Sequence, residues 1–394
     1  MNFGVLLFIA AILTVVMIHE AGHFIVAKHY GFKATQFFIG FGPTLWSTRR
    51  GETEYGVKAL PLGGFVKILG MNPYEEIAPE DRSRAYSSKP AWQRALVLVA
   101  GSATHWVVAF VLLVVTTMTI GFPTGDATNR VAAVETLVGG GQTPALEAGL
   151  RPGDVIVGVG GDATNTWGEI RSYIRGRGGK PAEFTIERDG ATRTLEATLG
   201  RAVFASSGRL RSYVGPGEPL PERRPGDEVV GFLGVQPQPE FQTQGFPGAV
   251  VEAGERTWEV TMLSVRGIGD VFGMVFGGEL WDAVTGNGTR AVDEGPLGLV
   301  GAGRIAGETV ATGNYLQFIG LIVGFTIFVG LMNLLPLPPL DGGHLAVVAY
   351  EAISGKAVDL RRLIPVAAAV ISFFVVLFLA VLYLDLARPI RVPF

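Results

Sequence analysis

Apolar residues along this chain gather in runs of spanning length. Asn2–Ala27, Ala95–Pro123, Tyr315–Leu340 and Leu363–Leu384 each hold the roughly 20 mostly apolar residues that a helix needs to cross a bilayer. The first has no Lys or Arg ahead of it and outlasts the apolar core of a signal peptide, so it is expected to remain as a span. Between the first two spans the pattern shortens. Tyr55–Leu60 and Phe65–Leu69 flank Pro61-Leu62-Gly63-Gly64, which predicts a β-hairpin over 55–69. Its polar face is reduced to Lys58 and Lys67, so two placements are open: dipping into lipid or against the helices, or an ordinary surface hairpin.

From 124 to 314 Gly, Pro and charge return. Gly149 and Gly153 punctuate a turn into a strand, Asp154–Val159, followed by a helix at Trp167–Arg175. Two strands, Ala182–Arg188 and Thr192–Thr198, are joined at Asp189-Gly190. Residues 205–228 read as a loop and "VVGFLGVQP" as a returning strand. Farther on, Trp258, Met262, Val265, Ile268, Phe272 and Phe276 recur at helical spacing. That predicts a helix lying on the outer membrane surface or packed on the strand-rich domain.

Composition decides the class. The 394 residues would allow two or three soluble domains, but 48% are hydrophobic and only 17% charged, which points to a membrane protein. The formal net charge of −3 carries no nucleic-acid footprint. The absence of cysteine excludes disulfides and thiolate metal sites. Lys and Arg cluster between the first two spans, from Lys28 to Arg94, and again at Lys356, Arg361 and Arg362 between the last two. Both loops are therefore expected in the cytoplasm, with the N-terminus, the middle region and the C-terminus outside. Arg388 and Arg391 mildly oppose this.

Three ionisable residues, His19, Glu20 and His23, lie within the first apolar run, at a cost of about 2.5–3.5 kcal/mol each at membrane depth. HExxH on a helix sets both histidines on one face, one turn apart, where they reach the same metal. Glu20 is then placed to take a proton from a metal-bound water. A catalytic zinc site needs a third protein ligand. Without cysteine it must be His, Asp or Glu from another span. Asp341, in "NLLPLPPLDGGHL" after a run broken by Pro336, Pro338 and Pro339, is the first choice, and His344 the alternative.

These motifs together resemble the bacterial site-2 protease family, intramembrane zinc metalloproteases of the regulator of sigma-E protease type. The likeness rests on "HEAGH" (His19–His23), "LPLGGFVKILG" (Leu60–Gly70), the "AGLRPGD" opening of a single PDZ-like module, "GPLGL" (Gly295–Leu299) and "NLLPLPPLDGGH" (Asn333–His344). It implies zinc on His19, His23 and Asp341, with Glu20 as catalytic base. It also implies that Asn333 and the hairpin, through Gly63, Gly64 and Phe65, hold the substrate backbone. The implied fold is a polytopic α-helical membrane protein of four transmembrane helices, with a membrane-associated β-hairpin and one extracytoplasmic PDZ-like α+β domain.

Its parts are a first span at 2–27, a cytoplasmic loop at 28–94 and a second span at 95–123. A PDZ-like domain at 124–243 and a linker at 244–314 follow, then a third span at 315–353 and a fourth at 363–384. The implied place is the bacterial inner membrane, with the active site towards the cytoplasm. The implied substrates are single-pass membrane proteins such as anti-sigma factors, already cut by a site-1 protease. A rival reading is an inactive PDZ-bearing scaffold of the same family. One departure stands out: in "AGSATHW", Ser102 and His105 occupy positions where the family usually has Pro and Asn. His105 either keeps a polar role towards substrate or metal or is a core histidine, and it is not counted in the site.

Overall fold

The computed structural model describes residues 3–72, 74–135, 142–204, 210–220, 225–286 and 297–387. They divide into two units, one built from the chain up to Thr119 and from Gln244 onward, the other Ile120–Thr243.

The first unit opens with helix α1, Phe3–His29, which carries HExxH. Two long strands follow, β1 at Ala34–Arg50 and β2 at Thr53–Ile68, then helix α2 at Ala91–Thr119. Here the hairpin expectation needs correcting. The chain turns at Gly51-Glu52, and the two runs expected to pair with each other do not. Phe37–Ile39 lies between them, registered with Gly64–Val66 on one side and Tyr55–Val57 on the other. Aromatic packing explains the insertion: Phe65 stacks on Phe38 and Phe41, with centroids 5.7 and 6.0 Å apart. Alternation within 55–69 alone could not reveal a strand supplied from outside that window.

The second unit holds β3 (Phe122–Val134), α3 (Pro144–Glu147), β4 (Val155–Val159), β5 (Asp162–Ala163) and α4 (Trp167–Arg175). It continues with β6 (Pro181–Arg188), β7 (Ala191–Thr198), β8 (Gly200–Phe204), β9 (Leu210–Val214), β10 (Glu228–Phe232) and β11 (Val235–Gln242). One sheet runs β11-β3-β4-β6-β7, with β5 on β4, and a second runs β10-β8-β9. Thr166 and Glu169 form a capping box that starts α4. Ile156, Ile170, Phe184, Ile186, Leu199 and Leu233 are fully buried in its core. Each stabilises the fold by about 1.5–3 kcal/mol. Buried Asp154 closes its own turn by accepting from the Arg151 N–H, and it accepts from Arg188 Nε at 2.7 Å and Arg188 Nη2 at 2.8 Å. The strands and helix expected over 154–198 are present. Part of the expected 205–228 loop is the strand β9, and residues 205–209 and 221–224 lie outside the described residues.

Back in the first unit come α5 (Phe246–Gly277), α6 (Glu279–Thr285), α7 (Leu299–Ala311), α8 (Tyr315–Asn333), α9 (Asp341–Ser354) and α10 (Ile364–Ala387). Among the described residues five helices are long and apolar enough to cross a membrane, where four are expected. The additional one is α5. It packs on α2 and α8, and Trp106 Nε1 donates to Thr261 Oγ1 at 3.1 Å. The helix expected on the membrane surface or on the strand domain is thus longer and joins the helical unit. The third expected span also changes. Helix α8 stops at Asn333, because Pro336, Pro338 and Pro339 cannot supply N–H groups to continue it. A separate helix begins at Asp341. Of "GPLGL", Gly295 and Pro296 fall outside the described residues.

Candidate metal centre

His19 and His23 sit one turn apart on α1, both buried. Helix α2 comes close to them because position 101 is glycine: a Cβ there would collide with the His23 ring. This approach lets the Val97 carbonyl reach His23 Nδ1 at 2.7 Å. A carbonyl only accepts, so Nδ1 carries the proton and Nε2 presents a lone pair. That Nε2 lies 3.1 Å from His19 Nε2 and 3.2 Å from Asp341 Oδ2, and His19 Nε2 lies 3.3 Å from the same oxygen. Asp341 Oδ2 is buried and has no hydrogen-bond partner.

With both imidazoles neutral and protonated on Nδ1, three lone-pair atoms turned onto one point repel unless a cation stands between them. Their spacing lies at or just under the edge of a tetrahedron with ligands at about 2.0–2.2 Å from a zinc ion, about 3.3–3.6 Å. The donor set of two imidazoles and a carboxylate suits that ion. Among the described residues, His19, His23 and Asp341 are the one group of three or more that could hold a metal.

Of the remaining expected residues, Glu20 and Asn333 fall around this point. Glu20 lines a cavity of about 210 Å³ together with His19, His105, Asn333 and Asp341. Its Oε2 accepts the Val66 N–H at 3.0 Å. Gly63, Gly64 and Phe65 do not line the cavity. Gly63 and Gly64 instead lie against Val16 and Met17 of α1, where a Cβ on Gly64 would strike the Met17 sulfur. His344 faces a different cavity, beside Tyr86, Arg94 and Glu351, and is not part of the metal group.

Two contacts were not assigned from sequence. His105, one α2 turn beyond Gly101, sets its Nε2 3.1 Å from His19 Nδ1, an outer contact of the kind that orients a ligating imidazole. Gly330 on α8 leaves room for it, since a Cβ there would press on the His105 side chain. The signal for His105 was its position at membrane depth. The second contact, the Val66 N–H on Glu20, had no side-chain signal at all.

The family model for peptidase family M50 matches residues 7–380, which takes in HExxH, both units and Asp341. The chain belongs to peptidase family M50. Among M50 relatives, it is 35% identical to zinc metalloprotease Rip1 of Mycobacterium tuberculosis, with 98% of each chain covered. It is 34% identical to Rip1 of Mycolicibacterium smegmatis, covering 92% of this chain and 89% of that one. Metalloprotease MmpA of Caulobacter vibrioides is 30% identical, covering 89% and 86%. The M50 match spans the chain, so the site is read within a whole-length likeness and not from a five-residue motif.

Proposed function

We propose that this chain is an intramembrane zinc metalloprotease that hydrolyses a peptide bond within or beside a transmembrane helix of its substrate. The observation that carries the reading is the convergence of His19 Nε2, His23 Nε2 and Asp341 Oδ2 at 3.1–3.3 Å, with Glu20 beside them, among apolar helices. Membership of M50 and the names of the zinc metalloprotease relatives support it.

His19, His23 and Asp341 would hold the zinc. When bound, zinc supplies a Lewis acid that polarises the scissile carbonyl and lowers the pKa of water. Glu20 takes the proton from the attacking water and returns it to the leaving amine. The ring of His23 is fixed by the Val97 carbonyl, and that of His19 by His105.

A helical substrate must unwind to expose its bond, and unpaired backbone is costly in lipid. Asn333, on the cavity wall, and the Gly63-Gly64-Phe65 segment are the groups we assign to that exposed backbone. We assign the substrates to single-pass membrane proteins such as anti-sigma factors, trimmed first by another protease. The Lys- and Arg-rich loops favour a bacterial plasma-membrane orientation with the metal site towards the cytoplasm and the Ile120–Thr243 unit outside. The scaffold reading loses ground because neither a ligand nor the base is missing.

The deciding experiment compares wild type with Glu20→Gln on a model single-pass substrate, with metal content measured on the same preparations. The amide cannot take a proton and touches none of the ligands. Cleavage should vanish while zinc stays bound. Wild-type cleavage by the variant would remove Glu20 from the mechanism.

A further inference from the structure

In the larger sheet of the second unit β11 is an edge strand, and among the described residues no strand pairs with its other side. Such an edge is where an extended peptide adds, through successive main-chain N–H and C=O groups. The pairing with β3 fixes which groups of β11 face outward. Pro237 lies opposite Val131, and Pro239 opposite Ala127. A proline has no N–H, so neither can be the bonded member of its pair, and the bonds pass through Gln236, Gln238 and Glu240.

Three further contacts agree. The Glu135 N–H donates to the Gly234 carbonyl at 2.9 Å. Thr128 Oγ1 donates to the Gln238 carbonyl at 3.1 Å, and Thr124 Oγ1 to the Glu240 carbonyl at 3.4 Å. The even-numbered residues therefore face β3. Val235, Pro237, Pro239 and Phe241 turn their backbone to the open edge, and the two central positions have no N–H to offer.

We infer that Pro237 and Pro239 close this edge to strand addition and so set which partners the unit accepts. An added strand would bring two carbonyls against these prolines with no donor to meet them. Each loses a hydrogen bond, and its neighbours are held only at Val235 and Phe241. The side chains from Gln238 to Gln242 are exposed, so the edge is accessible and it is the backbone chemistry that is unreceptive. An extended segment or a new C-terminal tail is therefore not gripped here as an extra strand, and two copies of the chain do not pair through β11. The unit must act on partners by another surface or by its bulk. This inference rests on strand topology and not on the proteolytic reading.

The test uses the full chain in detergent micelles, as wild type and as the Pro237→Thr/Pro239→Thr variant. The probe is a fluorescein-labelled octapeptide of alternating Val and Thr with a free carboxyl end, read by anisotropy, with cross-linking to locate it. Wild type should show no saturable binding at β11. The double variant regains two donors and should bind at least about tenfold more tightly. Thermal unfolding checks that it is folded, and each single variant, which disturbs the strand less, should show part of the gain. Wild-type binding cross-linked to 235–242, or folded variants that gain nothing, would overturn the inference.

Discussion

The backbone N–H of Val66 donates to the carboxylate of Glu20 at 3.0 Å, so a strand edge holds the group assigned as catalytic base. Phe65 and Lys67 turn their backbone the other way, towards the Phe37–Ile39 strand. Val66→Pro removes that one N–H while leaving every proposed metal ligand in place. A hydrogen bond to a charged group is worth about 1.5–3 kcal/mol, so cleavage should slow by about ten- to a hundredfold. Zinc content should not change, and Val66→Ala, which keeps the N–H, should cleave nearly as wild type. Equal rates for proline and alanine would show that the contact is idle.

The proposed third ligand can be separated from its neighbour on α9. Asp341→Asn exchanges the orphaned oxygen for a neutral amide, and metal content and activity should fall together. His344→Ala lies in the other cavity and should keep its metal. Atomic absorption on purified protein decides between them, and the reverse pattern would exchange the assignments.

His105→Ala removes the side chain 3.1 Å from His19 Nδ1. Loss of such an outer contact typically weakens metal affinity by about 10–100-fold. Competition with a chromogenic chelator measures it. An unchanged affinity would reduce His105 to packing.

Acid should loosen the sheet through one residue. Glu52, at the turn between β1 and β2, accepts both arms of Arg84 and pairs with Lys28 at the end of α1. The bonds from Arg84, and then from Lys28, hold its carboxyl down to about 2 from an ordinary 4.5. A depressed carboxyl stabilises fully above its unfolded value and loses that contribution as pH falls from about 4.5 towards 2. The difference in unfolding temperature between wild type and Glu52→Gln should therefore be constant near neutrality and shrink across that window. A difference that does not vary with pH would exclude the carboxylate as its source.

Phe122 and Gln242 are paired, so the Ile120–Thr243 unit enters and leaves the chain at one place. Residues 123–241 can thus be replaced by a short Gly-Ser linker. If the unit screens substrates by bulk, as the closed β11 edge favours, the shortened protein should cut untrimmed single-pass substrates that wild type rejects. Long and trimmed forms of one substrate, compared in the same membranes, give the answer. Continued rejection of the long form, with the trimmed one still cut, would refute screening.

What could be read from sequence depended on how local the signal was. His19 and His23 lie one helical turn apart with Glu20 beside the first, so the shared face of the two histidines follows from helix geometry. Asp341 announced itself as an acid beside a run of prolines that ends a span. The interleaving of Phe37–Ile39 between two parts of β2 depends on contacts made far along the chain, and it was not legible. Nor was the extent of α5. Its apolar positions show on one face over 255–276, but its packing on α2 and α8 is a tertiary choice. Val66 contributes through its backbone, which every residue but proline has, so no letter in the sequence marks it.

Synthesis order gives the separation of the proposed ligands a further meaning. His19 and His23 leave the ribosome early, whereas Asp341 follows only after both the Ile120–Thr243 unit and α8 have been made. Two imidazoles without the carboxylate make a poor metal site, and the nascent chain carries Glu20 with nothing to act on. On that assignment, a half-made molecule among other newly inserted proteins would be chemically silent. On the proposed ligand set, hydrolytic competence would arrive only once α9 has brought Asp341 to α1.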